Sequence, residues 1–305
     1  MRINNTKPGI TAALGALFVL CLAFEAQAAD RVAVVFSDNR SAFTACAKEL
    51  VRALEASDAR PTVRDFPISE STASDVSEFA PDAIAAVGDA GIDWARKNAG
   101  SLPVVTCLTL DPPSAVTANW RSVSMRVGAR DRLSLIAEAL PKGTECGVLY
   151  GEEQSKAFVK ELEAAAAELE IELEVVEVED KKEVGKALTK LRKNGCDVII
   201  GLADGTVYAG GQVVMVLRYC HQYRLAFVGF SDAFARAGAL MAFYAKPEDQ
   251  GEQAAALVVS VLKKEDGGNK APNPVRVSVN KKVIKLIRAD VSNDFLRKVD
   301  KVYGN

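Results

Sequence analysis

The chain has 305 residues, 49% of them hydrophobic and 26% charged, with a formal net charge of -2 at pH 7. That is ordinary globular composition with enough material for two lobes, and it lacks the basic footprint that nucleic-acid binding requires, so no nucleic-acid partner is expected. Six thinly spread cysteines, with no C-x-x-C spacing, argue against both a disulfide scaffold and a zinc site.

The N-terminus carries Arg2 and Lys7, then an apolar run from about Ile10 to Phe24, then Ala26-Gln27-Ala28 ahead of Ala29. A charged start, a short apolar centre and an A-x-A exit describe a secretory signal peptide over residues 1–28, cleaved after Ala28. The run is shorter than the roughly 20 residues of a membrane anchor. Leu20, before Cys21, does not suit a lipoprotein start. The expectation is a periplasmic chain from Ala29 with five cysteines, an odd number that cannot pair fully within one chain.

Beyond the signal, β-branched runs alternate with helical stretches: RVAVVFS, SAFTACAKELVRALEA, PTVRDFP, PDAIAAVG, AGIDWARKNA and LPVVTCL. This is the pattern of parallel strands joined by crossover helices. After NWRSVSMRV a second series follows, with helix ARDRLSLIAEALP, strand CGVLYG, helix SKAFVKELEAAAAELE, strand IELEVVEVE, helix KKEVGKALTKLRKN and strand CDVIIGL. GGQVVMVLRYCHQY reads as a further helix and LAFVGFS as a strand. The remainder holds a strand, a long helix from about Pro247 to Lys264, a Gly/Pro/Asn-rich loop and a last strand. The fold class is therefore α/β, with two doubly wound parallel-sheet lobes and a cleft between them.

PDAIAAVGDAG, LPVVTCLTLDPP, ALPKGTECGVLYG, GCDVIIGLADGTV and FVGFSDAFARAGALMAFYAKPEDQGEQAAALVVSVLKK, with the later RVSVNKKVIKLI, resemble in their order the ABC-transporter substrate-binding protein family that includes tryptophan and tyrosine binders. The resemblance runs from about Arg31 to Ile287. It implies a type I periplasmic binding fold, two lobes joined by three crossovers, a small-molecule solute and an ABC permease as partners, and no cofactor. A monomer is expected. Lobe one is expected over 29–122 with 239–275, and lobe two over 123–238 with 276–305. Family members commonly carry a Thr-Pro-Ala-Ala-like turn after the third strand, suited to a ligand carboxylate. Here that turn reads Gly88-Asp89-Ala90-Gly91, and an acid there repels a carboxylate.

Polar residues recur just past the strand ends: Ser37-Asp38-Asn39, Asp89-Ala90, Thr109 with Asp111, Tyr150, Asp204 with Thr206, and Ser231-Asp232. Each alone reads as a helix cap or turn. Together they fall on the edges where facing α/β lobes hold a ligand. Asp38, Asp89, Asp204 and Asp232 are acids, against Arg40 and Arg126 as the nearest bases. That balance favours an amine, a cation or a polyhydroxylated solute.

Two other function classes compete. An enzyme is disfavoured because the single histidine, His221, stands on an expected helix with no nucleophile motif beside it; clustered metal ligands are lacking too. A periplasmic sensor docking on a signalling receptor would carry the same lobes. Trp94 reads as core, and Trp120 as hinge packing or a cleft wall. Cys146 and Cys196 precede two strands expected to be neighbours, which leaves a disulfide and two buried thiols both open.

Overall fold

A computed structural model of the protein describes residues 29–37, 40–110, 119–265 and 267–304. The signal-peptide reading of residues 1–28 lies outside the described residues, as do Asp38, Asn39 and Asp111.

The first lobe runs β1 (Arg31–Phe36), α1 (Ser41–Ala56), β2 (Thr62–Pro67), α2 (Ala73–Phe79), β3 (Ala83–Val87), α3 (Gly88–Asn98), β4 (Val104–Thr109) and β5 (Trp120–Ser124). The strands form one parallel sheet in the order β2-β1-β3-β4-β5. Alternation along β1 explains why helices must cover both faces: Val32, Val34 and Phe36 pack with Leu50 of α1, while Ala33 and Val35 pack with Ile92 of α3. Trp120 is buried in that second layer and Trp94 packs against it, so both indoles serve the lobe-one core.

The second lobe follows with α4 (Ala129–Ala139), β6 (Cys146–Tyr150), α5 (Ser155–Glu168), β7 (Leu173–Glu177), α6 (Val184–Lys193), β8 (Val198–Ile200), α7 (Gly205–Tyr208), α8 (Gln212–Tyr223), β9 (Ala226–Gly229), α9 (Asp232–Ala237) and β10 (Met241–Tyr244). The chain returns to lobe one as α10 (Pro247–Leu262), whose Ala254 and Val258 join the α1 layer. It ends in lobe two with β11 (Arg276–Asn280), α11 (Lys281–Ile287), α12 (Asn293–Leu296) and β12 (Lys301–Tyr303). The second sheet has the order β12-β11-β10-β9-β8-β6-β7, parallel except where β11 runs against β10. No helix among the described residues is long and apolar enough to cross a membrane.

Two of the three crossings fall later than the sequence suggests. β5 stays zipped to β4 as far as Thr109 opposite Ser124, and Val123 is buried in the lobe-one core. The first crossing therefore follows Ser124. Ala239, Leu240, Met241 and Phe243 sit in the lobe-two core, and β10 pairs with β9 and β11. The second crossing thus follows Tyr244, because a strand that short is held only by pairing on both sides. After α10, β11 opens at Arg276 in the lobe-two sheet.

Arg276 ties these crossings together. Its guanidinium donates through Nε and Nη2 to both carboxylate oxygens of Asp249 on α10, at 2.6 and 2.9 Å, and through Nη1 to Asp300 at 2.8 Å. A bidentate fork is among the stronger ion pairs, although the partly exposed setting weakens it. Arg276→Met is expected to lower stability by about 1 to 2 kcal/mol, read from urea unfolding.

The cysteine pairing open from sequence resolves as thiols. Cys146 lies opposite Val198 in the β6–β8 register, so Cys196 stands two residues ahead of it, its Sγ 3.6 Å from the Cys146 carbonyl oxygen. All five described cysteines are buried and free.

Candidate functional site

In each sheet the parallel strands end on one side, and residues following β1 and β9 and those following β4 and β8 line the space where the lobes meet. A cavity of about 750 Å³ lies there. Ser41 and Ala45 of α1, Met125 of the first crossing, Lys246 of the second, and Ser231 with Asp232 of lobe two line it. That volume is in the range of small-molecule sites.

On the lobe-one edge, Gly88 lets α3 start directly at the end of β3. Its φ is +71°, and a Cβ would stand 2.7 Å from Cε1 of Phe43; both facts require glycine. Asp89 and Ala90 are consequently exposed in the first turn of α3. Asp89 is not the cap of this helix, since Val87 holds that position without a side-chain bond. Its carboxylate instead complements the helix N-terminus and accepts a hydrogen bond from Oγ1 of Thr109, the last residue of β4, at 3.3 Å. Ser37 is buried immediately after β1. Three expected contributors, Ser37, Asp89 and Thr109, thus sit on adjacent strand ends.

The lobe-two edge is arranged differently from the sequence reading. Asp204, 2% exposed, accepts from the backbone N–H of Gly151, Glu152 and Val207 and from the Ser155 hydroxyl. Burial pushes its carboxyl up, but these four donors outweigh burial and hold it below the usual carboxylate range. This is a structural knot joining the β6–α5 turn to α7, and its oxygens are already used. Thr206 lies in α7, half-buried against Gly151, and Tyr150 is half-buried at the end of β6. Ser231 is the cap residue of α9 but makes no side-chain cap bond there.

Asp232, in the first turn of α9, reaches the cavity but accepts from the Tyr303 hydroxyl and from Lys301 Nζ. Burial again works upward, and those bonds bring its carboxyl below the usual range. Of the acids held to make the cleft negative, Asp232 is therefore ion-paired with Lys301 within lobe two, and Asp204 keeps its charge but spends its oxygens on donors of its own lobe.

The same edge carries two arginines. The Arg126 guanidinium lies 4.6 Å from the Phe158 ring centroid. Arg132, which sequence reasoning missed, is 2% exposed on α4 and donates Nη1 to the Gly201 carbonyl at 3.0 Å. Its signal was present in the helix pattern: Ala129, Arg132, Leu133, Ile136 and Ala139 share the buried face, so an arginine occupies an apolar position. Desolvation, with Arg126 nearby, pushes Arg132 down to about 10. His221 has its Nε2 2.7 Å from the Gly238 carbonyl oxygen, in keeping with a helix-packing role.

The family model described as ABC transporter substrate binding protein matches residues 81–302, well over half of the chain. A ligand-free, open structure of a substrate-binding protein with adhesive properties from Clostridium difficile superposes with a TM-score of 0.71 at 18% identity, covering 90% of this chain and 100% of that one. An ABC domain from Streptococcus pneumonia in complex with L-Trp gives 0.60 at 19% identity, over 90% and 99% of the two chains. A conserved domain protein from Vibrio cholerae gives 0.60 at 17%, also over 90% and 99%. No curated protein matches the chain. Across this set of structures the shared property is the fold.

Proposed function

This chain belongs to the ABC transporter substrate-binding protein family, and on that premise we propose that it is an exported periplasmic receptor that captures a small polar organic solute between its lobes. It delivers that solute, as a monomer, to an ABC permease in the inner membrane. The observation carrying this reading is the inter-lobe cavity of about 750 Å³, lined by the first turns of α1, α9 and α10. The L-Trp found with the Streptococcus structure and the periplasmic ribose transporter protein of Conexibacter woesei, with a TM-score of 0.57, fit a fold that takes small polar organic molecules.

Solute bound between the lobes is favoured in a closed form, because only then do both strand edges touch it; binding shifts the population toward that form. X-ray scattering of the mature chain with the solute that co-purifies is expected to show a smaller radius of gyration. An unchanged profile at saturation contradicts the hinge. On the lobe-one edge Asp89, with Thr109 beside it, accepts a donor group of the solute. Asp89→Asn is expected to weaken binding about tenfold to 150-fold by calorimetry, the scale of a charge-assisted hydrogen bond of about 1.5 to 3 kcal/mol. The apo melting temperature should fall only slightly, since Asp89 is not the cap of α3 and its charge at that N-terminus is worth about 0.3 to 1 kcal/mol. Unaltered affinity removes Asp89 from the site. No catalytic role is assigned to any residue.

A further inference from the structure

Cys46 and Cys107 bring their Sγ atoms to 3.6 Å in the core of lobe one. One stands on α1 and the other on β4, and both are 0% exposed in a layer with Val34, Phe36, Leu50 and Val105. Buried cysteine packs as a small hydrophobe, and either thiol alone needs no further account. Two sulfurs in contact do. They are 61 positions apart with no cysteine between them. The other three described cysteines belong to the lobe-two core, where the Cys196 sulfur faces the Cys146 carbonyl oxygen. The odd count thus divides into a pair in contact and three separate thiols.

A disulfide holds its sulfurs at about 2.05 Å, so this pair must close by roughly 1.5 Å. α1 is fixed at this residue, because α10 approaches so closely that a Cβ on Gly251 would stand 2.4 Å from the Cys46 carbonyl oxygen. β4 has the slack. Cys107 stays opposite Val87 of β3, but the pairing with β5 shifts register between Thr106 and Thr109, and Leu108 has a φ of +52°. A strand irregular at that point bends locally while the rest of the sheet stays paired.

We infer that Cys46 and Cys107 are a modification site, joined as a disulfide in the exported protein by exchange with a donor that carries a reactive disulfide, while Cys146, Cys196 and Cys220 stay thiols. This rests on the export half of the reading above and goes beyond it. One cysteine thiolate attacks the donor disulfide, forming a mixed disulfide and releasing one donor sulfur as a thiolate. The second attacks the chain's own sulfur in that mixed disulfide, which forms the Cys46–Cys107 bond and releases the other donor sulfur. Two protons and two electrons pass from the chain to the donor, which ends as a dithiol. The exchange takes place before lobe one closes. In the folded lobe the hydrogen bond with Cys107, and then burial, push the Cys46 thiol well up, and a protonated thiol shut off from water is a poor nucleophile. The same enclosure shields the finished bond from reductants. Ala45, next to Cys46, lines the inter-lobe cavity, and Thr109, two residues after Cys107, reaches Asp89. The bond therefore ties together two segments of the lobe-one edge.

The test uses the full chain exported to the periplasm, and the mature chain unfolded in urea and refolded with oxidised and reduced glutathione. Alkylation in urea without reductant is expected to find three of the five cysteines as thiols, and all five after reduction. Digestion should give a peptide joining Cys46 to Cys107. Dithiothreitol should leave the bond intact in the folded protein and cut it in urea. The oxidised wild type should melt roughly 10 °C above the reduced form, followed by tryptophan fluorescence, because the bond closes a loop of about 60 residues. Cys107→Ala should abolish that difference and Cys196→Ala should keep it. Should Cys107→Ala fail to fold, the thiol count and the linked peptide of the wild type decide. A periplasmic chain shortened to Ala29 that carries five thiols, or a disulfide between other cysteines, keeps export and overturns the Cys46–Cys107 bond. A chain retained in the cytoplasm removes the export reading, and the refolded chain then decides the pair alone: three thiols keep the bond, five overturn it.

Discussion

Replacing Asp204 by alanine is expected to destabilise lobe two by about 3 to 5 kcal/mol, the range for breaking a buried polar network by removing its charged centre. The carboxylate gathers four donors from two segments, the β6–α5 turn and the start of α7. Without it the N–H groups of Gly151, Glu152 and Val207 lose their acceptor in a site too buried for ready hydration. The loss should be smaller than four separate bonds, because the turn can relax as a unit. Both tryptophans lie in lobe one, so Asp204→Ala should move the lobe-two part of the far-UV melting curve while leaving tryptophan fluorescence in place. Coincident shifts of both signals would show that the lobes unfold together and that the damage is not local.

The same residue sets an acid dependence. Its folded carboxyl lies below its usual value, so its stabilisation is fully present above the unfolded pKa, about 3.9, and is lost as pH falls through the lower folded one. The stability gap between wild type and Asp204→Ala, measured by urea titration, should be constant from neutral pH to about pH 5 and shrink below about pH 4.

The two lobes, their parallel sheets and the alternation of elements were legible because runs such as VAVVF and AIAAV are buried on both faces, and only helices on either side can achieve that. The crossings were less legible. Nothing in ALMAFY says whether the strand adds to the first sheet or the second; pairing with β9 and β11 decides it. At the site, the strand-end positions could be read, but the state of each charge could not. Asp204 and Asp232 sit where an open acid would sit, yet their partners come from residues 49 and 71 positions away in the case of Ser155 and Tyr303. Long-range hydrogen bonds of that sort leave no local pattern. Arg132 differs, since a charged residue on an apolar helical face is itself a local anomaly. The choice between disulfide and thiols, open from sequence, turns on register: Cys146 begins its strand, whereas Cys196 precedes β8 by two residues.

The helix that returns from the second crossing makes a demand at Gly251, which a sequence reading takes for an ordinary weak point in a helix. α10 crosses α1 so closely there that a Cβ on Gly251 would lie 2.4 Å from the Cys46 carbonyl oxygen and 3.0 Å from the Leu50 nitrogen. Both are backbone atoms of α1 and cannot turn aside as a side chain can. Gly251→Ala would gain roughly 1 kcal/mol of helix propensity but must push the helices apart to do so. Gly251→Leu has no such compensation at that distance and is expected to cost about 3 kcal/mol or more, at the upper end of overpacking penalties. The change acts on lobe one, so tryptophan fluorescence from Trp94 and Trp120 should report an earlier unfolding midpoint, the opposite pattern to Asp204→Ala. Function should suffer as well. Asp249 lies two residues before Gly251 and holds the Arg276 fork across the lobes, so displacing α10 moves one side of the hinge tether. Gly251→Leu should thus weaken solute binding even where the protein remains folded, in calorimetry below its lowered midpoint. A stability unchanged from wild type would mean that the α1–α10 contact is looser in solution than the 2.4 Å approach requires.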